Sequence, residues 1–267
     1  MDKLTIVKVG GAVVEDPKQL ETLLNNFSSI PGKKLLVHGG GRRATKVAGS
    51  LGIESKMVGG RRITDAAMLE VVTMVYGGLV NKSLVAQLQA KGINALGVTG
   101  ADMDIIRSHK RPPVEMKDDE TGEKKVVDFG FVGDVDKADG ERLASLINSG
   151  ITPVVAPLTH DGMGNILNTN ADTMASTVAK ALADKFEVTL IFSFEKKGVL
   201  SNPDNDDSVI PLITREIFKM YEEKGIISGG MKPKVENALS AVESGVSRVV
   251  ITLADNIGKA NEGTIIQ

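Results

Sequence analysis

The chain has 267 residues, of which 42% are hydrophobic and 25% charged, with a formal net charge of −2 at pH 7. It is long enough for one large α/β domain or two intimate lobes, and it carries no global positive field that would draw nucleic acid or an anionic membrane. The absence of cysteine excludes disulfides and thiolate metal sites, and an aromatic set of two Tyr, seven Phe and no Trp leaves little to stack on single-stranded nucleic acid.

The first strand is expected at 4–9, so close to Met1 that no leader is expected before it. It carries Lys8 and runs into Gly10-Gly11. A helical pattern at 16–27 leads to a second strand at 34–37, which runs into His38-Gly39-Gly40-Gly41 and a helix at 41–51. A long helical pattern at 64–91 follows, with Thr64 as the expected N-cap, Gly92 as the stop and Gly77-Gly78 as a place to kink. After a strand at 93–98, the stretch 109–128 breaks the rhythm with Pro112-Pro113 and a charged run around Gly122. It reads as a β-hairpin with Thr121-Gly122 at the tip and Val126-Val127 returning, either a solvated excursion or a lid. Helices are expected at 137–149, 171–184, 214–224 and 231–244, strands at 151–156, 188–193 and 247–252, and a polar loop at Ser201 to Ser208. Short Val- and Ile-rich strands alternating with helices specify an α/β fold with parallel strands and right-handed crossovers. No run in the chain reads as a membrane span, so the expectation is a cytoplasmic protein handling small molecules without membrane or nucleic-acid partners.

The chemistry lies in the turns. A strand that ends in glycine before a helix exposes backbone N–H groups suited to phosphate or carboxylate, and two such turns suggest two anionic groups held face to face. Lys8 sits where a strand accepts an ammonium only beside an anion or at its snorkelling end. Asn168-Thr169-Asn170-Ala171-Asp172 stands at a loop-to-helix junction, offering amides for a carboxylate, a carboxylate for lysines and an N-cap for the helix. Gly229-Gly230-Met231-Lys232-Pro233-Lys234 repeats glycine-then-lysine at a helix mouth, where the dipole favours anions, so a lysine there points to a ligand. The pattern is neither the Walker phosphate loop nor the dinucleotide fingerprint, and His38, His109 and His160 lack metal-ligand spacing. With no legible Ser/His/Asp set, the reaction that fits is phosphoryl transfer to a carboxylate, a nucleophile already ionised at neutral pH.

With Lys8-Val9-Gly10-Gly11, His38 to Gly41, Arg62-Ile63-Thr64, Gly130-Phe131-Val132-Gly133-Asp134-Val135, Asn168 to Asp172 and Gly229 to Val235 in order, nearly the whole chain resembles the amino acid kinase family. Within that family it is most similar to the branch acting on N-acetylated glutamate. The resemblance implies a three-layer αβα sandwich with a mostly parallel open central sheet, an N-terminal lobe (1–180) for the acylglutamate and dimerisation, and a C-terminal lobe (181–267) for ATP. It implies that Lys8 and Lys234 stabilise the transferring phosphoryl group, with Asp172 orienting both. Gly10, Gly11, Gly40 and Gly41 would supply N–H groups, and Arg62 and Asn168 would hold the substrate α-carboxylate. Glu195, Lys196, Lys197, Gly198, Val199, Leu200, Ile226, Ile227 and Ser228 would border the nucleotide. Mg²⁺ would ride mainly on the nucleotide phosphates, with no metal site in the protein itself. The 64–91 helix would be a homodimer contact.

The chain departs from the family where Phe194-Glu195-Lys196-Lys197 replaces a Thr-Asp or Ser-Asp pattern, and where Arg42-Arg43 and Arg61 add cationic side chains around the substrate turn. Either Arg42 and Arg43 form a solvated helix face, or the arginines point to an acyl group larger or more acidic than acetyl, with succinyl the candidate. A chain that opens on its first strand lacks the extra N-terminal helix of arginine-inhibited hexamers, so a dimer insensitive to arginine is expected. The rivals are aspartate, glutamate or carbamate kinases and, outside enzymes, an amino-acid sensor; a sensor has no need for two lysines and Asp172. A dinucleotide-dependent oxidoreductase lacks its spaced glycines.

Overall fold

All six expected strands lie in one eight-stranded sheet of the computed structural model, which describes residues 1–117, 124–227, 231–259 and 262–267. In chain order its strands are β1 (Lys3–Val9), β2 (Lys33–His38), β3 (Ala95–Val98), β4 (Thr152–Val155), β5 (Glu187–Phe194), β6 (Leu212–Ile213), β7 (Arg248–Leu253) and β8 (Thr264–Ile266). Their spatial order is β6-β8-β7-β5-β1-β2-β4-β3. The first five and β7 run parallel, whereas β8 is antiparallel to β7 and carries β6 with it. These two short strands at one end of the sheet were not foreseen, because two or three residues carry no readable alternation.

The period of the strands sorts the layers. Leu4 and Ile6 of β1 belong to one core, whereas Val7 and Val9 belong to the other. Over the Val7 face lie α1 (Gly11–Glu15), α2 (Pro17–Ser29), α3 (Gly41–Ser50) and α4 (Ala66–Ala90). Over the Leu4 face lie α5 (Gly140–Asn148), α6 (Ala171–Leu182), α7 (Arg215–Glu223) and α8 (Met231–Glu243). The result is the expected αβα sandwich.

Three local expectations are corrected. α4 is capped by Asp65, whose carboxylate accepts from the Met68 N–H, and not by Thr64, which is buried and bridged to Gly130. Its centre, Thr73–Val80, is π-helical where a kink was expected at Gly77-Gly78. α4 is also long and apolar enough to cross a membrane by length and composition, contrary to the reading that no run qualifies. In the fold its Met68, Val71, Val72, Val75, Leu84 and Leu88 are core, which accounts for the apolarity.

Residues expected to begin a helix at 137 instead end a strand, Gly133–Ala138, and Asp139 caps α5 by accepting from the Arg142 N–H. That strand joins Ile166–Asn168, Leu158–His160 and Ile106–Lys110 in a second, four-stranded sheet. The expected hairpin forms from Val114–Lys117 and Lys124–Val127; its expected tip at Thr121-Gly122 lies outside the described residues. The hairpin makes a small core of Val127, Phe129 and Val132 with Val58, Ile63, Val114 and Met116, so it roofs the turn bearing Arg61 and Arg62.

Candidate active site

The chain passes from β1 to β2 on one side, and β5 lies on the other side of β1. Ligands of open α/β sheets bind beyond the strand carboxyl ends at such a reversal. Here β1 ends at Gly10-Gly11, β2 at Gly39 to Gly41 and β5 at Phe194-Glu195. Neither α1 nor α3 has a side-chain cap at its N-terminus, so their first N–H groups stay open to an anion. A Cβ on Gly11 would sit 3.4 Å from the Gly41 N and 3.5 Å from the Gly40 N. Glycine at 11 therefore keeps free the space into which those amides face.

Two clefts meet at this point and share Gly11 and Gly41. The first is lined by Lys8, Gly10, Arg42, Asp172, Phe194, Glu195, Lys196, Gly198 and Lys234, among others. Alternation along β1 puts Lys8 on the same face as Ile6, and β5 sets Phe192 directly beside it. The Lys8 Nζ lies 2.7 Å from Asp172 Oδ1. Asp172 is held in the first turn of α6, where Asn170 caps by accepting from the Asp172 and Thr173 N–H groups at 2.8 and 3.1 Å. Lys234, in the first turn of α8, rests its ammonium 4.2 Å from the centre of the Phe194 ring. Lys232 turns the other way and pairs with Glu222. Four cations against two carboxylates leave this cleft net positive.

The second cleft is lined by Gly39 to Gly41, Arg61, Arg62, Tyr76, Arg111, Gly133, Asp134, Asn168 and neighbours. Arg62 is almost buried, and its Nη2 donates to the Gly41 carbonyl and Thr45 Oγ1, each at 2.9 Å, while Nη1 donates to Ser55 Oγ. Asn168 Nδ2 donates to Thr64 Oγ1 at 2.9 Å, which ties this amide to the segment that follows Arg62. Arg111 grips Asp134 through Nε at 3.0 and 3.1 Å and through Nη2, and this hydrogen bonding holds the Asp134 carboxyl below the usual carboxylate range. Burial pushes the Tyr76 hydroxyl up despite the adjacent Arg62 guanidinium. Three arginines against one aspartate suit a ligand with two negative charges and no ammonium.

Of the residues expected at the phosphoryl and substrate positions, Lys8, Lys234, Asp172, Gly10, Gly11, Gly40, Gly41, Arg62 and Asn168 all line one cleft or the other. Asp172 pairs with Lys8, whereas Lys234 has the Phe194 ring as its neighbour. Of the expected nucleotide border, Glu195, Lys196 and Gly198 line the first cleft. Lys196 and Lys197 reach to Asp206 and Asp207, Val199 and Ile227 are core, Leu200 is buried, and Ile226 packs on the core. Ser228 lies outside the described residues. Arg42 pairs with Glu195 beside the first cleft and Arg43 lines a separate depression near Lys46, so of the extra arginines Arg61 alone lines the second cleft. Sequence reasoning passed over Tyr76 and Arg111; the unusual Pro-Pro after Arg111 was the available signal.

A sequence model described as the amino acid kinase family matches residues 3–253. The chain is 61% identical to an acetylglutamate kinase of Bacteroides thetaiotaomicron, over 100% of this chain and 99% of that relative. It is 40% identical to an acetylglutamate kinase of Methanopyrus kandleri, over 99% of this chain and 100% of the other. Among solved structures, N-acetylglutamate synthase of Neisseria gonorrhoeae complexed with coenzyme A and N-acetyl-glutamate aligns with TM-score 0.77 at 20% identity, over 98% of this chain and 59% of that one. Carbamate kinase of Giardia lamblia bound to AMP-PNP aligns with TM-score 0.68 at 15% identity, over 99% and 98% of the two chains; likenesses this remote bear on the fold alone.

Proposed function

The chain belongs to the amino acid kinase family, and we propose that it transfers the γ-phosphoryl group of ATP to the γ-carboxylate of N-acetyl-L-glutamate, an acyl-phosphate-forming step of arginine biosynthesis. The observation that carries the reading is the pair of positive clefts joined at Gly11 and Gly41, one with three lysines and an arginine and one with three arginines. An N-acylated glutamate has two carboxylates and no ammonium, which matches the second cleft.

In this reading Arg62 and Asn168 hold the α-carboxylate, and the γ-carboxylate reaches the shared glycine rim. There a carboxylate oxygen attacks the γ-phosphorus, the bond from phosphorus to the β,γ-bridging oxygen breaks, and ADP leaves. No base is needed, because the nucleophile is already ionised. Catalysis is then positioning plus charge on the equatorial oxygens, supplied by Lys8, Lys234 and the open N–H groups of α1 and α3. Asp172 holds the Lys8 ammonium in place. Mg²⁺ would offset phosphate charge while bound mainly to the nucleotide.

Residues 1–180 would then bind acceptor and 181–267 nucleotide, with Gly11 and Gly41 lining both clefts and Lys8, Gly10 and Asp172 reaching into the nucleotide cleft from the first part. A cytoplasmic homodimer through α4 fits the exposed Met74 and Leu79 on that helix. Arg61 supports N-succinyl-L-glutamate as a second reading. Acyl phosphate trapped as hydroxamate, with acetylglutamate, succinylglutamate, glutamate and aspartate compared, tests both. Preference for acetylglutamate upholds the first reading, preference for succinylglutamate the second, and turnover of glutamate or aspartate alone overturns both.

A further inference from the structure

Lys234 stands in the first turn of α8, where the helix dipole disfavours a cation, and among the described residues no carboxylate lies within ion-pair distance of it. Its ammonium nevertheless points into the cleft, 4.2 Å from the Phe194 ring centre, and the Lys8 ammonium lies 5.4 Å from the same ring. Both distances fall within reach of a cation–π attraction. Phe194 is itself held. It shares a face of β5 with Phe192, two residues earlier, and the rings stack at 5.9 Å with an interplanar angle of 11°. Phe192 is 3% exposed and is anchored in the core.

We propose that Phe194 is a positioning residue for phosphoryl transfer, a ring that holds the Lys234 ammonium, and secondarily that of Lys8, in the cleft before the nucleotide arrives. This rests on the kinase reading above. Two ammoniums in one cleft repel each other, and Asp172 is placed to compensate Lys8. A second carboxylate beside Lys234 would neutralise the charge that the phosphoryl group needs and would repel the phosphates of ATP. An aromatic face does neither. It attracts the ammonium through its quadrupole, leaves its charge intact, and is a weak enough partner to yield it as negative charge grows on the phosphoryl oxygens. The ordering of a four-carbon side chain is thereby accomplished in the empty site.

The experiment compares wild type with Phe194→Tyr, Phe194→Leu and a protein carrying pentafluorophenylalanine at 194. The fluorinated ring keeps shape and apolarity but reverses the quadrupole. The expected result is a kcat lowered by about 3- to 30-fold in the Leu and pentafluoro proteins, retention in Phe194→Tyr, and little change in KM for acetylglutamate. If Phe194→Leu fails to fold, the near-isosteric fluorinated protein carries the test. A pentafluoro protein that matches wild type in kcat overturns the proposal, as does a loss confined to the KM of acetylglutamate. Calorimetric titration with ATP alone separates this from failure of the function itself. A wild type that phosphorylates none of the acceptors removes the kinase reading, while ATP binding at least about 3-fold weaker to the pentafluoro protein still supports the ring's role and equal binding overturns it.

Discussion

Replacing Asp172 by Asn removes a charge while keeping the shape, and the structure sets the size of the effect. The Lys8 side chain is 9% exposed and its ammonium is 2.7 Å from Asp172 Oδ1, whose side chain is 25% exposed. Breaking a fully buried pair from one side costs about 3–5 kcal/mol, because the other charge is left in low dielectric. Here the cleft is open, so water takes part of the load and the cost falls to about 1–3 kcal/mol. For a chain of this size that is a fall in Tm of roughly 2–10 °C. Nucleotide should reverse much of it. With ATP bound, phosphate oxygens replace the lost carboxylate beside Lys8, and the neutral Asn repels them less. The Asp172→Asn protein is therefore expected to gain more in Tm from saturating ATP than wild type does, and to bind ATP at least as tightly. Its kcat should fall by about 10²-fold, since the phosphoryl is held by a less well placed ammonium. Thermal melts with and without ATP, calorimetry and steady-state rates read all three quantities. A smaller nucleotide-induced gain than wild type would refute the placement of the phosphates beside Lys8.

Arg62→Lys loses the fork that spans Gly41, Thr45 and Ser55, so KM for the acylated substrate should rise by about 10-fold or more with little change in KM for ATP; a selective ATP defect would count against the assignment of the clefts. Burial holds the His38 imidazole near pKa 4, below the ordinary 6.5, even though its Nδ1–H donates to the Gly39 carbonyl. The unfolded chain therefore takes up the proton first as pH falls, and stability is lost from about pH 6.5 down to about pH 4, amounting to about 2 kcal/mol between pH 7 and pH 5. His38→Asn should flatten that part of the profile in urea melts at the two pH values, and a slope equal to wild type would refute it. Gly97→Ala would place a Cβ 1.8 Å from Asn81 Oδ1. It should expel the amide that donates to Val154 O at 2.9 Å and lies 3.1 Å from His38 Nε2, at about 2–4 kcal/mol in urea unfolding; a cost below about 1 kcal/mol would mean that Asn81 repacks freely.

Much of the site was legible because its parts are local. β1 and β2 end in glycine within their own segments, and Lys8 is placed by the two-residue period of its strand. Asn170, one of three polar residues at a helix start, takes the capping role foreseen for one of them. Elsewhere adjacency in sequence misled. Arg42 and Arg43 are neighbours, but successive helical residues diverge by about 100°, so one meets Glu195 and the other turns toward Lys46. Thr64 was the residue expected to cap α4, and the role fell to Asp65 because Thr64 is taken up by Asn168 and the bridge to Gly130.

The sequence by itself determined the αβα alternation, the glycine turns and the presence of two lysines and a carboxylate suited to a phosphoryl group, all features written within a few residues of one another. Tertiary structure alone decided that Arg111 crosses 23 positions to hold Asp134 at the second cleft. It alone decided that Lys234 comes to rest on Phe194, 40 positions away, while Asp172 goes to Lys8. Periodicity fixes which face a side chain takes, but which distant side chain meets it there depends on the order of strands in the sheet and the register between them, and these arise only when the two cores close.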